Sequence, residues 1–347
     1  MSDGRKAAPN TLNQLRVQSE GYDLCVIGLD DLTARKEEEN TTLSLLRGEC
    51  EAFRQRGAKL AGLDVYISSN VPKGSGVSSS AAFEVLIGVI LNDCFMTDKV
   101  SPIEIAQIGQ WAENVYFGKP CGLMDQTACA VGKVITIDFK EVGHPVVREV
   151  PFDLAAKGFA LCISDTKGSH ADLTDDYAAV RREMESVAEF FGKKVLRDVD
   201  EETFLKAIPE VRKVTGDRAV VRAIHFYNDS RRAGEIYEAI KADDFDRFLQ
   251  LIIEGGHSSF EFNQNAYSIK NPQEQGVPLA LAISQKVLNG RGAWRLQGGG
   301  FAGTIQAFVP LALLETYKNA IDAVFGAGSC HVLSVRNYGA VMVTPDM

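Results

Sequence analysis

Three stretches of this chain combine residue types and spacings suited to chemistry on a phosphorylated small molecule. The first, Val71-Pro-Lys-Gly-Ser-Gly-Val-Ser-Ser-Ser-Ala-Ala82, opens directly into the apolar run Phe83-Glu-Val-Leu-Ile-Gly-Val-Ile-Leu91. Gly74 and Gly76 lack the Cβ atoms that would hold a ligand off the backbone, and a helix over the apolar run would aim its first amides at the loop. Such a loop holds an anion with backbone N–H groups, not with arginine. It is not a Walker loop, because the G-x-x-x-x-G-K-[ST] spacing is missing and Lys73 precedes the glycines. Most glycine-serine loops are plain surface turns. Here the following helix is apolar nearly all round and must be buried, which favours the cradle.

The second stretch is Glu113-Asn-Val-Tyr-Phe-Gly-Lys-Pro-Cys-Gly-Leu-Met-Asp125-Gln126. Gly118, Pro120 and Gly122 force a turn between the two carboxylates, so Glu113 and Asp125 can reach one pocket, one as a metal ligand and the other as a base. The plainer alternative is a solvated helix-end charge at Glu113 and an N-cap at Asp125. The third stretch, Gly292-Ala-Trp-Arg-Leu-Gln-Gly-Gly-Gly-Phe-Ala-Gly303, carries three consecutive glycines. Each costs roughly 0.5–1 kcal/mol against alanine in regular structure, so backbone here is expected to pass close to a ligand or to the other domain's loop.

The elements that must position these groups follow from periodicity and punctuation. Met1 to about Asn13 reads as frayed, Leu15 to Val17 and Leu24 to Leu29 as short strands, and Glu37 to Arg56 as an amphipathic helix. Leu63 to Ser69 alternates like a half-buried strand and feeds the glycine-serine loop. Ser101-Pro-Ile-Glu104 combines a capping box with proline at the first helical position, predicting a helix to about Phe117 that ends at Gly118. Strands are expected at Lys133 to Phe139 and Gly158 to Asp165, with a domain junction at Val150-Pro-Phe-Asp153. Helices then follow at about 175–191, 201–207, 218–242, 245–254 and 277–288. Strands at 303–310, 331–335 and 339–343 flank a helix over 312–324, an ending suited to an α+β layer.

Composition narrows the partners. The 347 residues are 45% hydrophobic and 24% charged, enough for two cores, and the net charge of −9 argues against nucleic acid or anionic membrane. Seven cysteines, an odd number without a C-x-x-C pair, read as reduced core thiols of a cytoplasmic protein. The first twenty residues lack the apolar core of a signal peptide, and no apolar run is long enough to span a bilayer. His144, His170, His225, His257 and His331 show no metal spacing and are expected to pack or sit on the surface.

Taken together, Gly74 to Ala82, Gly118 to Gln126 and Gly298 to Gly303 resemble the conserved blocks of the GHMP kinases. Cys121-Gly-Leu-Met-Asp-Gln126 and Gly298-Gly-Gly-Phe-Ala-Gly-Thr-Ile-Gln-Ala-Phe308 resemble the galactokinase family in particular, and the likeness runs from about residue 14 to the C-terminus. Ser19-Glu-Gly-Tyr22, Asp175-Asp-Tyr-Ala-Ala-Val-Arg-Arg182, Arg222-Ala-Ile-His225 and Ser258-Ser-Phe260 follow in the family's order.

The resemblance implies an α+β, two-domain GHMP kinase fold. A mixed α/β domain over 1–153 would carry the phosphate loop and the catalytic Asp, and a ferredoxin-like α+β domain with extra helices would cover 154–347. It implies transfer of phosphate from ATP to the anomeric hydroxyl of galactose, with Mg²⁺ as cofactor; the sequence leaves the oligomeric state open, with a monomer favoured. Residue by residue, Asp125 would take the C1 hydroxyl proton, and Glu113 and Ser79 would hold Mg²⁺. Gly74, Ser75, Gly76, Val77, Ser78, Ser79 and Ser80 would wrap the triphosphate. Gly122 and Tyr177 would touch the sugar, and Gly298, Gly299 and Gly300 would close the phosphate side.

One departure stands out. The family's opening block, Gly-Arg-x-Asn-x-Ile-Gly-x-His-x-Asp-Tyr, supplies a catalytic arginine and most contacts to the sugar, and these 347 residues do not contain it. Lys6-Ala-Ala-Pro-Asn10 resembles the strand and turn just beyond that block. An arginine that stabilises phosphoryl-transfer charge is worth on the order of 10³ in rate, so the expectation is an intact nucleotide half beside an incomplete sugar half. Two other readings stay open at this level: a non-catalytic nucleotide-binding or regulatory relative, and a GHMP kinase for another sugar.

Overall fold

The computed structural model describes residues 3–71, 78–141, 143–168 and 173–343. The chain divides into two compact units, one running to Ile135 and resuming at Val335, the other spanning Thr136–Ser334.

The first unit begins with β1 (Asp3–Pro9), β2 (Gln14–Ser19), β3 (Cys25–Gly28), α1 (Thr42–Gln55) and β4 (Leu63–Ser69). The sheet order is β1-β4-β2-β3, with β4 parallel to β2 and antiparallel to β1. Period-two alternation puts Leu15, Val17, Leu63, Val65 and Ile67 into the core, and Arg16, Asp64 and Tyr66 on the other face. The region expected to fray is instead an edge strand, paired from Asp3 opposite Ser69 to Pro9 opposite Leu63. Backbone pairing to β4 holds it where side-chain periodicity is weak, and Pro9 sits at the strand's end, where a missing N–H is tolerated.

Helix α1 starts five residues later than periodicity suggests. Glu37 and Glu38 lie in a separate 3-10 turn, and Thr41 caps α1 by accepting the Ser44 N–H. Buried Arg47 then forms a fork to Glu38 (Nε–Oε2 2.8 Å, Nη2–Oε1 2.7 Å), fastening the turn to the helix.

The remaining helices of this unit are α2 (Ser79–Phe95), α3 (Pro102–Ala112) and α4 (Met124–Val131). Every residue of α2 from Glu84 to Asn92 is buried, as its apolar composition requires. The capping box of α3 forms as expected: Glu104 N–H donates to Ser101 Oγ, and Ser101 N–H donates to Glu104 Oε2. Beyond Ala112 the helix widens into a π-turn, Glu113–Phe117, which ends at Gly118 in the left-handed region (φ 83°).

The chain enters the second unit within β5 (Val134–Asp138), which pairs with β6 (Val146–Val150) in a two-stranded ribbon. The expected junction at 153 falls after this ribbon, 18 residues beyond the boundary at Ile135 (153 − 135). Proline in Val150–Asp153 reads as a linker, whereas contacts group β6 with the elements that follow.

Next come β7 (Phe159–Asp165), α5 (Thr174–Phe190), α6 (Glu201–Thr215), α7 (Asp217–Lys241), α8 (Phe245–Ser258) and α9 (Gly276–Leu288). The unit closes with β8 (Ala293–Leu296), β9 (Thr304–Pro310), α10 (Leu314–Phe325) and β10 (Cys330–Leu333). Its antiparallel sheet has the order β10-β7-β9-β8, and Cys162, Leu288, Val309, Tyr317 and Ile321 share its core. The strand expected at 339–343 does not form. After Leu333 the chain returns to the first unit, where Lys133 N–H donates to Arg336 O at 2.9 Å. Among the described residues no helix is long and apolar enough to cross a membrane.

One buried group on α1 sets a pH dependence. Glu49 is fully buried, neither of its carboxyl oxygens meets a hydrogen-bond partner among the described residues, and burial raises its pKa well above 4.5, with Glu84 adding to the rise. The folded chain therefore keeps a proton that the unfolded chain releases near 4.5. Stability is full below that pH and falls as pH rises toward the raised value, by about 1.4 kcal/mol per unit for one group. Glu49→Gln is expected to remove this share of the slope. Urea unfolding at pH 4, 6 and 8 should show equal stabilities at pH 4 and a gap that widens upward; parallel curves would refute the assignment.

Candidate active site

Asp125 lies in the first turn of α4, exposed, and its carboxylate accepts a hydrogen bond from the Ser78 hydroxyl. Ser78 immediately precedes α2 in left-handed conformation (φ 54°, ψ 64°), an arrangement that disfavours an L-residue by about 1–2 kcal/mol. A serine there ordinarily caps the helix with its hydroxyl. This one makes no cap bond; its hydroxyl goes to Asp125, and the first amides of α2 keep their affinity for an anion. Ser79 and Ser80 follow as the first residues of α2. Gly74, Ser75, Gly76 and Val77 lie outside the described residues.

Glu113 is buried in the π-turn after α3. Its Oε2 accepts from Gln126 Nε2 at 3.1 Å, and its Oε1 faces the Lys119 ammonium at 3.5 Å. Gln126 Nε2 also donates to Glu84 Oε2 at 2.9 Å and approaches Cys121 Sγ at 3.6 Å. Burial, and then the neighbouring Glu113, raise the Glu84 pKa. The same two influences push the Cys121 thiol up to about 12, which keeps it protonated and unreactive.

These donors suit a hard divalent cation. Carboxylate and hydroxyl oxygens are what Mg²⁺ prefers, and it takes only one or two from protein when phosphates supply the rest. Among the described residues no group of three or more His, Cys, Asp or Glu has metal-holding geometry. The observation in favour is the ammonium of exposed Lys119, which already stands as a cation beside Glu113 Oε1.

The second unit holds the other predicted group. Tyr177, on α5, donates its hydroxyl to Gly300 O at 2.9 Å and meets the Phe301 ring edge-on at 5.5 Å. Burial, with the charge of Asp176, raises its pKa and keeps the hydroxyl a donor. A Cβ on Gly299 would stand 2.7 Å from the Tyr177 ring, and one on Gly300 would stand 2.1 Å from Asn265 O. The close approach at Gly299 and Gly300 is therefore to Tyr177 and to the Asn265 backbone of the same unit, where the sequence suggests a ligand or the other domain's loop. Gly298, by contrast, has open space where a Cβ would be, as does exposed Gly122 of the first unit.

The structure brings Ser78 to Asp125 and Glu113 to Gln126 in one unit, and Tyr177 to Gly299 and Gly300 in the other. Sequence reasoning gave no role to Glu84, Gln126 or Asn265. Glu84 left a signal, as the single charge inside the apolar run 83–91. His225 packs as expected, its Nδ1 2.9 Å from Ser258 Oγ, while His170 lies outside the described residues.

Known proteins share this fold. The profile of the GHMP kinases N terminal domain matches residues 44–133. Lactococcus lactis galactokinase, solved in complex with galactose, superposes with a TM-score of 0.81 at 21% identity, covering 98% of this chain and 87% of that one. L. major mevalonate kinase gives 0.61 at 15% identity, covering 97% and 87%. The fold is thus that of the GHMP kinases. In sequence, the galactokinase of Streptomyces coelicolor is 31% identical over 281 residues, which are 80% of this chain and 68% of that protein. That of Actinobacillus pleuropneumoniae is 33% identical over 282 residues, 80% and 67%. The chain belongs to the galactokinase family.

The glycine turn gives a graded prediction. Gly298 and Gly300 both have positive φ (65° and 80°), but only Gly300 meets backbone. Gly300→Ala should destabilise by more than the roughly 1–2 kcal/mol of left-handed strain that Gly298→Ala incurs. Denaturant midpoints of the two variants measure it, and equal losses would contradict the close approach.

Proposed function

We propose that this chain is an ATP-dependent sugar 1-kinase of galactokinase type, converting galactose and ATP to galactose 1-phosphate and ADP. The observation that carries the reading is the Ser78–Asp125 contact at the uncapped start of α2. It sets a carboxylate beside amides that suit a phosphate, which are the two requirements for activating a hydroxyl next to a transferable phosphoryl group.

In this reading the loop Gly74 to Ser80 and the first amides of α2 hold the triphosphate, and Gly298 to Gly300 close the phosphate side. Gly122 and Tyr177 contact the sugar. Asp125 accepts the proton of the C1 hydroxyl as that oxygen bonds to the γ-phosphorus, and the bond to the ADP oxygen breaks. The hydroxyl of Ser78 holds the Asp125 carboxylate in place before the sugar arrives. Glu113 and Ser79 would hold Mg²⁺, which supplies neutralising charge on the phosphoryl oxygens. Monomeric action in the cytoplasm completes the proposal; the seven retained thiols support a reducing compartment.

A coupled assay for ADP release with galactose and Mg-ATP tests this, with glucose and N-acetylgalactosamine as competing acceptors. Galactose is expected to be the best acceptor, and EDTA to abolish turnover. Asp125→Asn should lower kcat by about 10²–10⁴. Undiminished turnover in that variant would refute the base assignment, and preference for another sugar would move the specificity.

A further inference from the structure

Gln126 is 2% exposed, Glu84 0% and Glu113 4%. They come from three different elements: Glu84 from α2, whose first residue is Ser79; Glu113 from the π-turn after α3; and Gln126 from α4, next to Asp125. Two carboxyl groups out of water repel each other unless a donor stands between them. A primary amide has two N–H donors diverging from one nitrogen, and Gln126 Nε2 directs them to Glu84 Oε2 and Glu113 Oε2, at 2.9 Å and 3.1 Å. The other oxygens, Glu84 Oε1 and Gln126 Oε1, are buried with no hydrogen-bond partner among the described residues.

The pocket is shaped for this bridge. On α3, a Cβ at Gly109 would stand 3.0 Å from Glu84 Cβ, 3.1 Å from Glu84 Oε2 and 3.6 Å from Gln126 Cγ. Glycine in mid-helix costs about 1 kcal/mol against alanine, and here it makes room for the carboxylate and the amide.

We propose that Gln126, anchored on Glu84, is a positioning residue that fixes the Glu113 carboxylate for a divalent cation and ties it to the helix turn carrying Asp125. The role rests on the kinase reading given above. Glu113 then presents Oε1 outward because Oε2 is held from within. Three helices that each carry one functional group are fastened at a single nitrogen. Groups that orient a metal ligand in this way commonly affect metal affinity by about 10–100-fold.

The full chain with Mn²⁺ and ADP as probes tests it, by calorimetric titration of ADP with Mn²⁺ and again in EDTA. Gln126→Met keeps the length of the side chain and removes both donors. It is expected to weaken the Mn²⁺-dependent part of ADP binding by about 10–100-fold, while affinity in EDTA stays within about threefold. Gly109→Ala should shift the same quantity in the same direction, by about threefold or more. It favours the helix intrinsically, so it carries the test alone if Gln126→Met does not fold. Unchanged Mn²⁺ dependence in a folded variant overturns the proposal, and so does an equal loss in EDTA and Mn²⁺, the mark of general damage. If the unaltered chain binds ADP under neither condition, the nucleotide reading fails and this role falls with it.

Discussion

The constraint on which the rest depends is the burial of α2. A helix with Glu84 to Asn92 wholly out of water must be enclosed by other elements, and here α1, α3 and α4 join the sheet in enclosing it. Enclosure fixes the helix axis, and with it the place where the loop ends and the first amides emerge. The first turn of a surface helix would swing with that helix; this one is held by the core. The left-handed Ser78 is held from its C-terminal side by the same enclosed helix and through its hydroxyl by Asp125.

Burying this helix also buries a carboxyl group. Glu84 lies in the enclosed segment and faces Glu113, and a neutral amide, not a cation, joins them. A lysine in place of Gln126 would satisfy the charges and so compete with any metal for Glu113. An amide holds the oxygen without neutralising it. Lys119, the cation that does approach Glu113, is 62% exposed along its side chain and can move aside. Glu49, one helix away, is a buried carboxyl with no donor among the described residues, and burial raises its pKa as it does that of Glu84.

Much of this was legible in the sequence, where local chemistry was strong. The capping box at Ser101, the stop at Gly118, the alternating β4 and the apolar α2 each formed where residue types required. The tight packing of the glycine run was legible too, because three glycines in a row give up regular structure and admit close neighbours. What failed to show was pairing that depends on a remote partner. Edge strand β1 is made by hydrogen bonds to β4, about sixty residues away, and its own side chains barely mark it. Strand β8 is short, and the return of the chain from Val335 to the first unit depends on contacts with residues near Lys133.

The sequence by itself determined the chemistry on offer: an anion-holding loop ahead of a helix that must be buried, a pair of carboxylates around a forced turn, and a glycine run demanding close approach. Those conclusions rest on properties that a residue carries wherever it goes, such as a missing Cβ, a charge or an apolar face. Tertiary structure alone decided which groups meet. It turned the hydroxyl of Ser78 from capping a helix to holding Asp125, filled the space over Gly299 and Gly300 with Tyr177 and Asn265, and set one amide between two acids. The physical reason is directional. Hydrogen bonds and steric contact depend on distances of a few tenths of an ångström between segments far apart in the chain, and no local pattern encodes them.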